Sequence, residues 1–540
     1  MLKHASSTSP KSNRAALAVL AAVTLLAVLL QLSRVPFRWN PIALAYAAYF
    51  HEFRHVIELQ GWSAALTTFV GLHPPAYSLL FLGLMEARVP AACWLGMSGM
   101  FSVASVPLVW ATATRSWGRG GILGGAGLAA LVLAISPHRN AYGLEVNNYP
   151  LLVAATAAQL LAFARLYSRP TKPRGMPVGA EILWIATTAL ALWTHVLSVA
   201  LPLSQLGLLA ALPEGREGLR RFCALLAAVG VLCLPLVPGL LASSGGDPLN
   251  PPAGLMTALS VALADYPGRY GSETGANLMA LLAAFGLLAV VRAPRGERLV
   301  PLSWLAHAVV AGALILALVS RGIAAAHQFP YYLVLLPAGA LLVAAALRHD
   351  PRRPAALQHA LRLGLAVALL LHLAALSSEA LRARQLWAEA PQERGLVALA
   401  VESWSPNSAL LLVNFPRAMD DDKDHVDASY ALLPMSERLT FAQPAVATLV
   451  PGDPMWGQPI QFENDRWLYT FTGFREDRVD AIADATLEAG GRVILAVYET
   501  EFAEHDVARI RAWASQRGEP GRRAPGQLMF ILEPPARPAR

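Results

Sequence analysis

From residue 15 to about residue 380 the chain alternates between apolar runs of about 16 to 25 residues and short polar connectors. A helix rising 1.5 Å per residue needs about that length to cross a ~30 Å hydrocarbon core. The pattern predicts membrane spans over 15–33, 89–113, 121–136, 149–167, 180–194, 197–212, 222–242, 276–291, 300–320, 329–347 and 356–378, about 11 in all. Past residue 385 the pattern changes. Short runs at Ala409–Val413, Val493–Val497 and Leu528–Leu532 read as buried strands, and helical periodicity marks 476–489 and 504–517. Strand–helix–strand order predicts a small, partly parallel sheet. The expected architecture is an α-helical polytopic membrane region over 1–380, followed by a soluble α/β domain over 385–540.

Composition agrees with that division. The chain is 55% hydrophobic and 15% charged, against ~25% charged in an average soluble domain. Its net charge of +7 points away from nucleic acid because of where the charge lies. Lys3, Lys11 and Arg14 precede the first run; Arg165, Arg169, Lys172 and Arg174 share one connector; Arg348, Arg352, Arg353 and Arg362 share another. The alternate connectors are poorer in Lys and Arg, so one register satisfies the positive-inside rule, with the N-terminus cytoplasmic and the C-terminal domain outside. Segment 1–33 has the basic start of a signal peptide, but Leu32-Ser33-Arg34-Val35 offers no small-x-small cleavage site. It is expected to stay as the first span. Cys93, Cys223 and Cys233 all fall in hydrophobic segments and imply no disulfide framework.

The chemistry-bearing residues gather on the side that charge assigns to the outside. The first outer loop, 34–88, holds Arg38, Asn40, His51, Glu52, Arg54, His55 and Glu58, and ends in His73-Pro74-Pro75-Ala76-Tyr77. Tyr46, Tyr49, Phe50, Phe53 and Ile57 have the spacing of an amphipathic helix lying along the interface. On it His51, Glu52 and His55 form either a base or metal cluster or simply the wet face. Pro74 and Pro75 fix an extended entry that holds His73 at the water–lipid boundary. The apolar run Ala76–Leu84 is too short to span and should lie re-entrant or along the surface. The second outer loop, Ser136–Tyr149, carries His138, Arg139, Glu145 and Tyr149 at the mouth of a span. A carboxylate so near hydrocarbon is costly unless paired or used, which makes Glu145 the strongest site candidate. His195 ends a span, Arg269 follows Asp265-Tyr266-Pro267-Gly268, and Arg321 precedes Tyr331-Tyr332.

Taken in order, these motifs resemble the family 39-type glycosyltransferases of the GT-C fold, relatives of protein mannosyltransferases and lipid A aminoarabinose transferases. The residues that carry the likeness are His73-Pro74-Pro75-Ala76-Tyr77, Arg88-Val89-Pro90, Ser136-Pro137 with Glu145…Tyr149, Thr194-His195, and Tyr331-Tyr332…Pro337, and the likeness covers about 15–378. It implies an inverting hexosyl or pentosyl transferase that moves a sugar from a polyprenyl-phosphate-type lipid donor to an acceptor on the outer membrane face. That reaction needs a carboxylate as base and cations on the leaving phosphate. Glu145, Glu52 and His73 are then the candidate catalytic residues. Arg139, Arg269 and Arg321 are candidate phosphate partners, since a guanidinium matches phosphate oxygens in bidentate fashion. Asn40, His138, Tyr149, His195 and Tyr331 complete the expected substrate-binding set.

One departure bears on activity. The family usually has Asp, often Asp-Glu, shortly after the first span, where this chain reads Trp39-Asn40-Pro41. Asn cannot act as a base. Either Glu52 or Glu58 takes over, or Glu145 suffices, or the chain binds its lipid without turning it over. The alternatives are therefore a catalytically silent relative acting as a scaffold, or a lipid-linked sugar transporter. Against the transporter, the spans hold few ionisable residues near their middles. The expected ligand is the lipid-phosphate sugar with no certain cofactor, and a divalent cation is left open. The acidic run Asp420–Asp427 lacks the Gly and Glu of an EF-hand loop. The expected partners are membrane lipid and an acceptor that is protein, lipid or polysaccharide, in the cell envelope at a bacterial inner membrane. The C-terminal domain would then be periplasmic and would recognise the acceptor or cover the catalytic face.

Overall fold

The computed structural model describes residues 10–33, 57, 61–66, 74–87, 89, 91–117, 125–144, 147–167, 178–242, 256, 272–294, 297–321, 329–348, 353–389, 407–414, 460–462, 466–472, 476–498, 504–517, 522–524 and 527–534. They divide into two compact units: a helical one of Met1–Val35, His55–Phe81 and Trp94–Leu381, and one that carries a sheet and takes in Arg382–Arg540 with Pro36–Arg54 and Leu82–Cys93.

The bundle opens with α1 (Pro10–Leu32), a short α2 (Ala76–Glu86) and the 27-residue α3 (Ala91–Trp117). Next come α4 (Gly125–Ile135), α5 (Pro137–Tyr142), α6 (Asn148–Tyr167) and α7 (Val178–Thr194). A 3-10 turn at Val196–Val199 leads to α8 (Ala200–Ala211), then α9 (Pro213–Cys233). Pro235 and Pro238 break the run after α9, so it continues as a 3-10 turn, Leu234–Leu236, and α10 (Val237–Ala242). The bundle closes with α11 (Glu273–Val291), α12 (Leu299–Ser320), a 3-10 segment Phe329–Leu335, α13 (Leu336–Leu347) and the 35-residue α14 (Ala355–Glu389). Seven of the described helices are long and apolar enough to cross a membrane, and four shorter apolar helices pack among them.

The bundle exposes apolar side chains on its outside as well as burying them in its core. Leu25, Leu29, Val231, Leu281, Val309 and Leu370 are exposed, whereas Gln159, Gln205, Ser303 and His307 are fully buried. Apolar groups face outward because lipid solvates them; polar groups face inward because only other protein atoms can satisfy them. Small residues let helices approach closely. Gly286 of α11 lies against the Leu342 backbone of α13, where a Cβ would collide with the carbonyl. α6 and α13 are buried along most of their length and form the centre of the bundle.

Two sequence expectations are corrected here. The connector expected as a loop over 136–149 contains a helix over 137–142, and all six of its residues are buried. The span expected at 222–242 starts at Pro213 and breaks at Leu234. The run after Pro75 is a helix of 11 residues, Ala76–Glu86. The expected interfacial helix over 46–57, all but Ile57, and the acidic run 420–427 lie outside the described residues.

In the second unit β1 (Ala409–Asn414), β2 (Ile460–Phe462), β3 (Arg466–Thr472), α15 (Glu476–Glu488), β4 (Val493–Tyr498), α16 (Glu504–Ser515), β5 (Arg522–Ala524) and β6 (Gln527–Leu532) build a six-stranded sheet. Its order is β2-β3-β1-β4-β6-β5. The central β3, β1 and β4 are parallel, and both flanks are antiparallel. Leu411, Val479, Val493, Leu495, Ile510 and Phe530 fill its core. Trp513 donates to Asp480 Oδ1 at 2.5 Å, and Arg517 stacks over the Trp513 ring at 5.0 Å, tying α16 to α15.

Candidate active site

One set of buried polar residues surrounds α5. Ser136 caps α5 by accepting from the Arg139 backbone N–H at 3.5 Å, and Pro137 takes the first helical position. This turn is what carries Arg139 into the protein. Its Nη1 donates to Ser102 O (3.2 Å) and Ser102 Oγ (3.0 Å) on α3, and its Nη2 donates to Ala134 O (2.9 Å) and Asn140 Oδ1 (2.9 Å). Gln31, from the end of α1, donates to Ser102 Oγ and Asn140 Oδ1, both at 3.2 Å. Asn140 Nδ2 donates in turn to Ala134 O (3.0 Å) and Ser136 O (2.9 Å). Gly143 closes the cradle, because a Cβ there would overlap the Gln31 amide and the Ser102 hydroxyl.

Arg139 is 1% exposed, and its acceptors are all neutral. Burial pulls its guanidinium down to about 9, which still leaves it a cation at neutral pH. Its Nε and Gln31 Oε1 meet no partner among the described residues. Among the described residues the cradle therefore holds the Arg139 charge on neutral acceptors alone.

A second group lies where α6 starts and α7 ends. Asn147 Oδ1 accepts from Tyr149 N (3.0 Å), and Asn148 Nδ2 donates to Thr194 O (3.0 Å), which locks the two helix ends together. His195 caps the following 3-10 turn by accepting from Leu197 N–H at Nδ1 (3.2 Å), so its hydrogen is on Nε2. The His195 ring meets Tyr331 edge-on, centroids 5.4 Å apart, and Tyr142 meets Tyr149 at 5.8 Å. Tyr331 and Tyr332 are buried with Leu152, Leu197 and Val334. His307 of α12 donates from Nε2 to Val334 O (3.0 Å), fixing the segment that presents both tyrosines. Tyr77 of the His-Pro-Pro-x-Tyr run is buried, its hydroxyl 2.7 Å from Ser98 Oγ.

Of the residues singled out in the sequence, the fold brings His195 against Tyr331 and sets Tyr149 beside Tyr142. It buries His138 and Arg139 in α5. Arg321 is exposed at the end of α12. Glu145, Glu52, His73, Asn40 and Arg269 lie outside the described residues. Gln31, Ser102, Asn140 and His307 were not legible as site or support residues. For all but Asn140 the signal that marks them is a polar group inside a largely apolar run, which is costly unless it is satisfied or used.

The class that this architecture defines is one of fold: the chain has the GT-C fold. The particular likeness is to ArnT from Cupriavidus metallidurans. Its apo structure matches with a TM-score of 0.53 at 15% identity, over 95% of this chain and 97% of that one. The same protein bound to undecaprenyl phosphate matches with a TM-score of 0.54 at 15% identity, with the same coverage. No protein-family model matches the sequence, and no curated protein does.

Proposed function

We propose that the protein is a glycosyltransferase that takes a sugar from a polyprenyl-phosphate carrier and passes it to an acceptor at one face of the membrane. The observation that carries this reading is the end-to-end match with ArnT, one of whose structures holds undecaprenyl phosphate. At such low identity the match alone speaks for fold, and the reaction is argued from the residues.

A glycosyl phosphate ionises towards an oxocarbenium ion while an acceptor hydroxyl attacks from the opposite side, which makes the transfer inverting. The leaving phosphate gains charge, and a cation fixed in a water-poor place stabilises it. Arg139 is such a cation. Its Nη1 and Nη2 donors are taken up within the cradle and only Nε is left over, so it acts mainly through its field and by holding α5 in place. Direct phosphate contacts fall to Arg269 and Arg321. Glu145 follows α5 in the chain and is the proposed base, with Glu52 as the other carboxylate and His73 beside it in role. His195, Tyr331 and Tyr149 shape the donor site, joined by Asn40 and His138. The face in question is the periplasmic one of a bacterial inner membrane, with the N-terminus cytoplasmic and the unit from Arg382 onward acting on the acceptor.

The test is sugar transfer, or hydrolysis, from synthetic polyprenyl-phosphate sugars by the full-length protein in detergent. It is run beside Glu145→Gln, Glu52→Gln and Asn40→Asp. Turnover lost by on the order of a hundredfold or more in one Gln variant, as for removal of a catalytic base, supports the reading and names the base. Turnover only in Asn40→Asp means the chain is a silenced relative. Donor binding without turnover in every form sinks the transferase reading.

A further inference from the structure

The His195–Tyr331 pair joins two segments from distant parts of the chain. His195 caps the 3-10 turn Val196–Val199, and Tyr331 belongs to the 3-10 segment Phe329–Leu335. Segments of this kind have poorly aligned internal hydrogen bonds and need outside support. Both of them touch α12. One face of α12 carries His307, Ala311, Ile315 and Val319 at four-residue spacing, all buried. Ala311, Ile315 and Val319 pack with Leu197 and Ala200, which follow His195, and with Tyr331, Tyr332 and Val334. His307 is the polar one of the four, and it adds direction to a contact that apolar packing alone leaves free to slide.

Its hydrogen bond answers a gap that the sequence creates. In a 3-10 segment each carbonyl accepts from the N–H three residues further on. Three residues after Val334 stands Pro337, in the first turn of α13, which has no N–H to give. His307 Nε2 lies 3.0 Å from Val334 O and supplies a donor instead. A carbonyl can only accept, so the ring hydrogen is on Nε2. Val334 and His307 are both fully buried, where water cannot take over the bond.

We propose that His307 is a positioning residue for the donor site. By holding Val334 it fixes where the Tyr331 ring stands against His195, and so sets the affinity for the lipid-phosphate donor without touching it. That this pair faces such a donor rests on the transferase reading; the placement of the ring does not.

Two readouts on the full-length protein in detergent test this: the fluorine NMR resonance of a fluorotyrosine placed at residue 331, and the Kd for undecaprenyl phosphate. His307→Leu should move or split the resonance and weaken binding on the order of tenfold. Gln carries its amide nitrogen as far out as Nε2, whereas Asn reaches only as far as Nδ1. His307→Gln should therefore restore the resonance and bring binding back to within about twofold, and His307→Asn should do neither. Pro337→Ala returns the missing N–H, so adding it to His307→Leu should recover most of the lost affinity. A side chain that merely fills space gains nothing from that backbone donor. An unmoved resonance with an unchanged Kd in His307→Leu overturns the proposal, and so does equal behaviour of Gln and Asn. If the Leu variant fails to fold, the Gln and Asn comparison decides. Failure of the unsubstituted protein to bind undecaprenyl phosphate also overturns it. Binding that follows this series in a protein that transfers no sugar supports the positioning role and sinks the transferase reading alone.

Discussion

The bundle holds two buried polar networks that solve the same problem in opposite ways. In the first, Gln159 of α6 and Gln205 of α8 exchange amide hydrogen bonds at 2.9 Å each way. Thr188 and Trp184 of α7 complete it at 3.3 and 3.1 Å. Every member is neutral and fully buried, and no side-chain polar atom of the four is left without a partner. The second is the cradle of Arg139, Asn140, Ser102 and Gln31. It is charged, and two of its buried polar atoms remain unmet. A closed neutral network is what three packed helices need to hold one register. An open, charged one is stable only because the surrounding fold over-determines it, which is the mark of a functional place. The clamp is read as structure and the cradle as site.

The widest separation between the two should come from Arg139. Arg139→Met removes every donation of the guanidinium, leaving Ala134 O with Asn140 Nδ2, Asn140 Oδ1 with Gln31 Nε2 and Ser102 O with Ser105 Oγ, and is expected to cost about 1.5 to 3 kcal/mol, seen as a drop in the detergent unfolding temperature. Arg139→Lys keeps the charge but not the planar fork, and should recover part of that loss. Lys restoring full stability would mean the fork geometry is dispensable and the cradle reading wrong. For the clamp, Gln159→Leu alone leaves the Gln205 amide half-satisfied and should cost about 1 to 3 kcal/mol. Adding Gln205→Leu should cost less than the two single changes summed, because both partners leave together. A double-mutant cycle that shows simple additivity would break the picture of a coupled pair.

How much of this was legible in the sequence follows from the range of each force. Span length is set by the bilayer, so apolar runs such as 300–320 reappear as helices almost to the residue, here Leu299–Ser320. The buried strands Ala409–Val413 and Leu528–Leu532 were legible for the same reason: a run of apolar residues has only one place to go. The cradle was not. Gln31 meets Ser102 across 71 residues and Asn140 across 109, and no local pattern encodes such a meeting. Ser136-Pro137 carried a readable helix-start signal, but His138, Arg139 and Asn140 looked like a wet loop because their burial depends on α1 and α3. In the sheet, β5 and β2 are three-residue edge strands with too little alternation to announce themselves. The parallel pairing of β1 with both β3 and β4 is a matter of topology that strand composition does not specify.

Steric closure separates the two networks at a finer grain. Gly143 sits against the Gln31 amide and Ser102 Oγ, so Gly143→Ala must push the cradle open; about 1 to 3 kcal/mol is expected. The lost stability should be accompanied by a drop in transfer activity larger than that of a Gln159→Leu variant of equal stability. Equal activity losses at equal stability would mean that the cradle acts only as scaffold. The smallest effect calibrates the others. Arg348 and Glu297 pair at 3.1 Å with both side chains substantially exposed. Removing Glu297 as Ala is expected to change stability by no more than about 0.5 kcal/mol, because water screens what the low-dielectric cradle cannot. A Glu297→Ala loss as large as that of Gly143→Ala would show that burial is not what sets the scale here, and the contrast between the two networks would lose its physical basis.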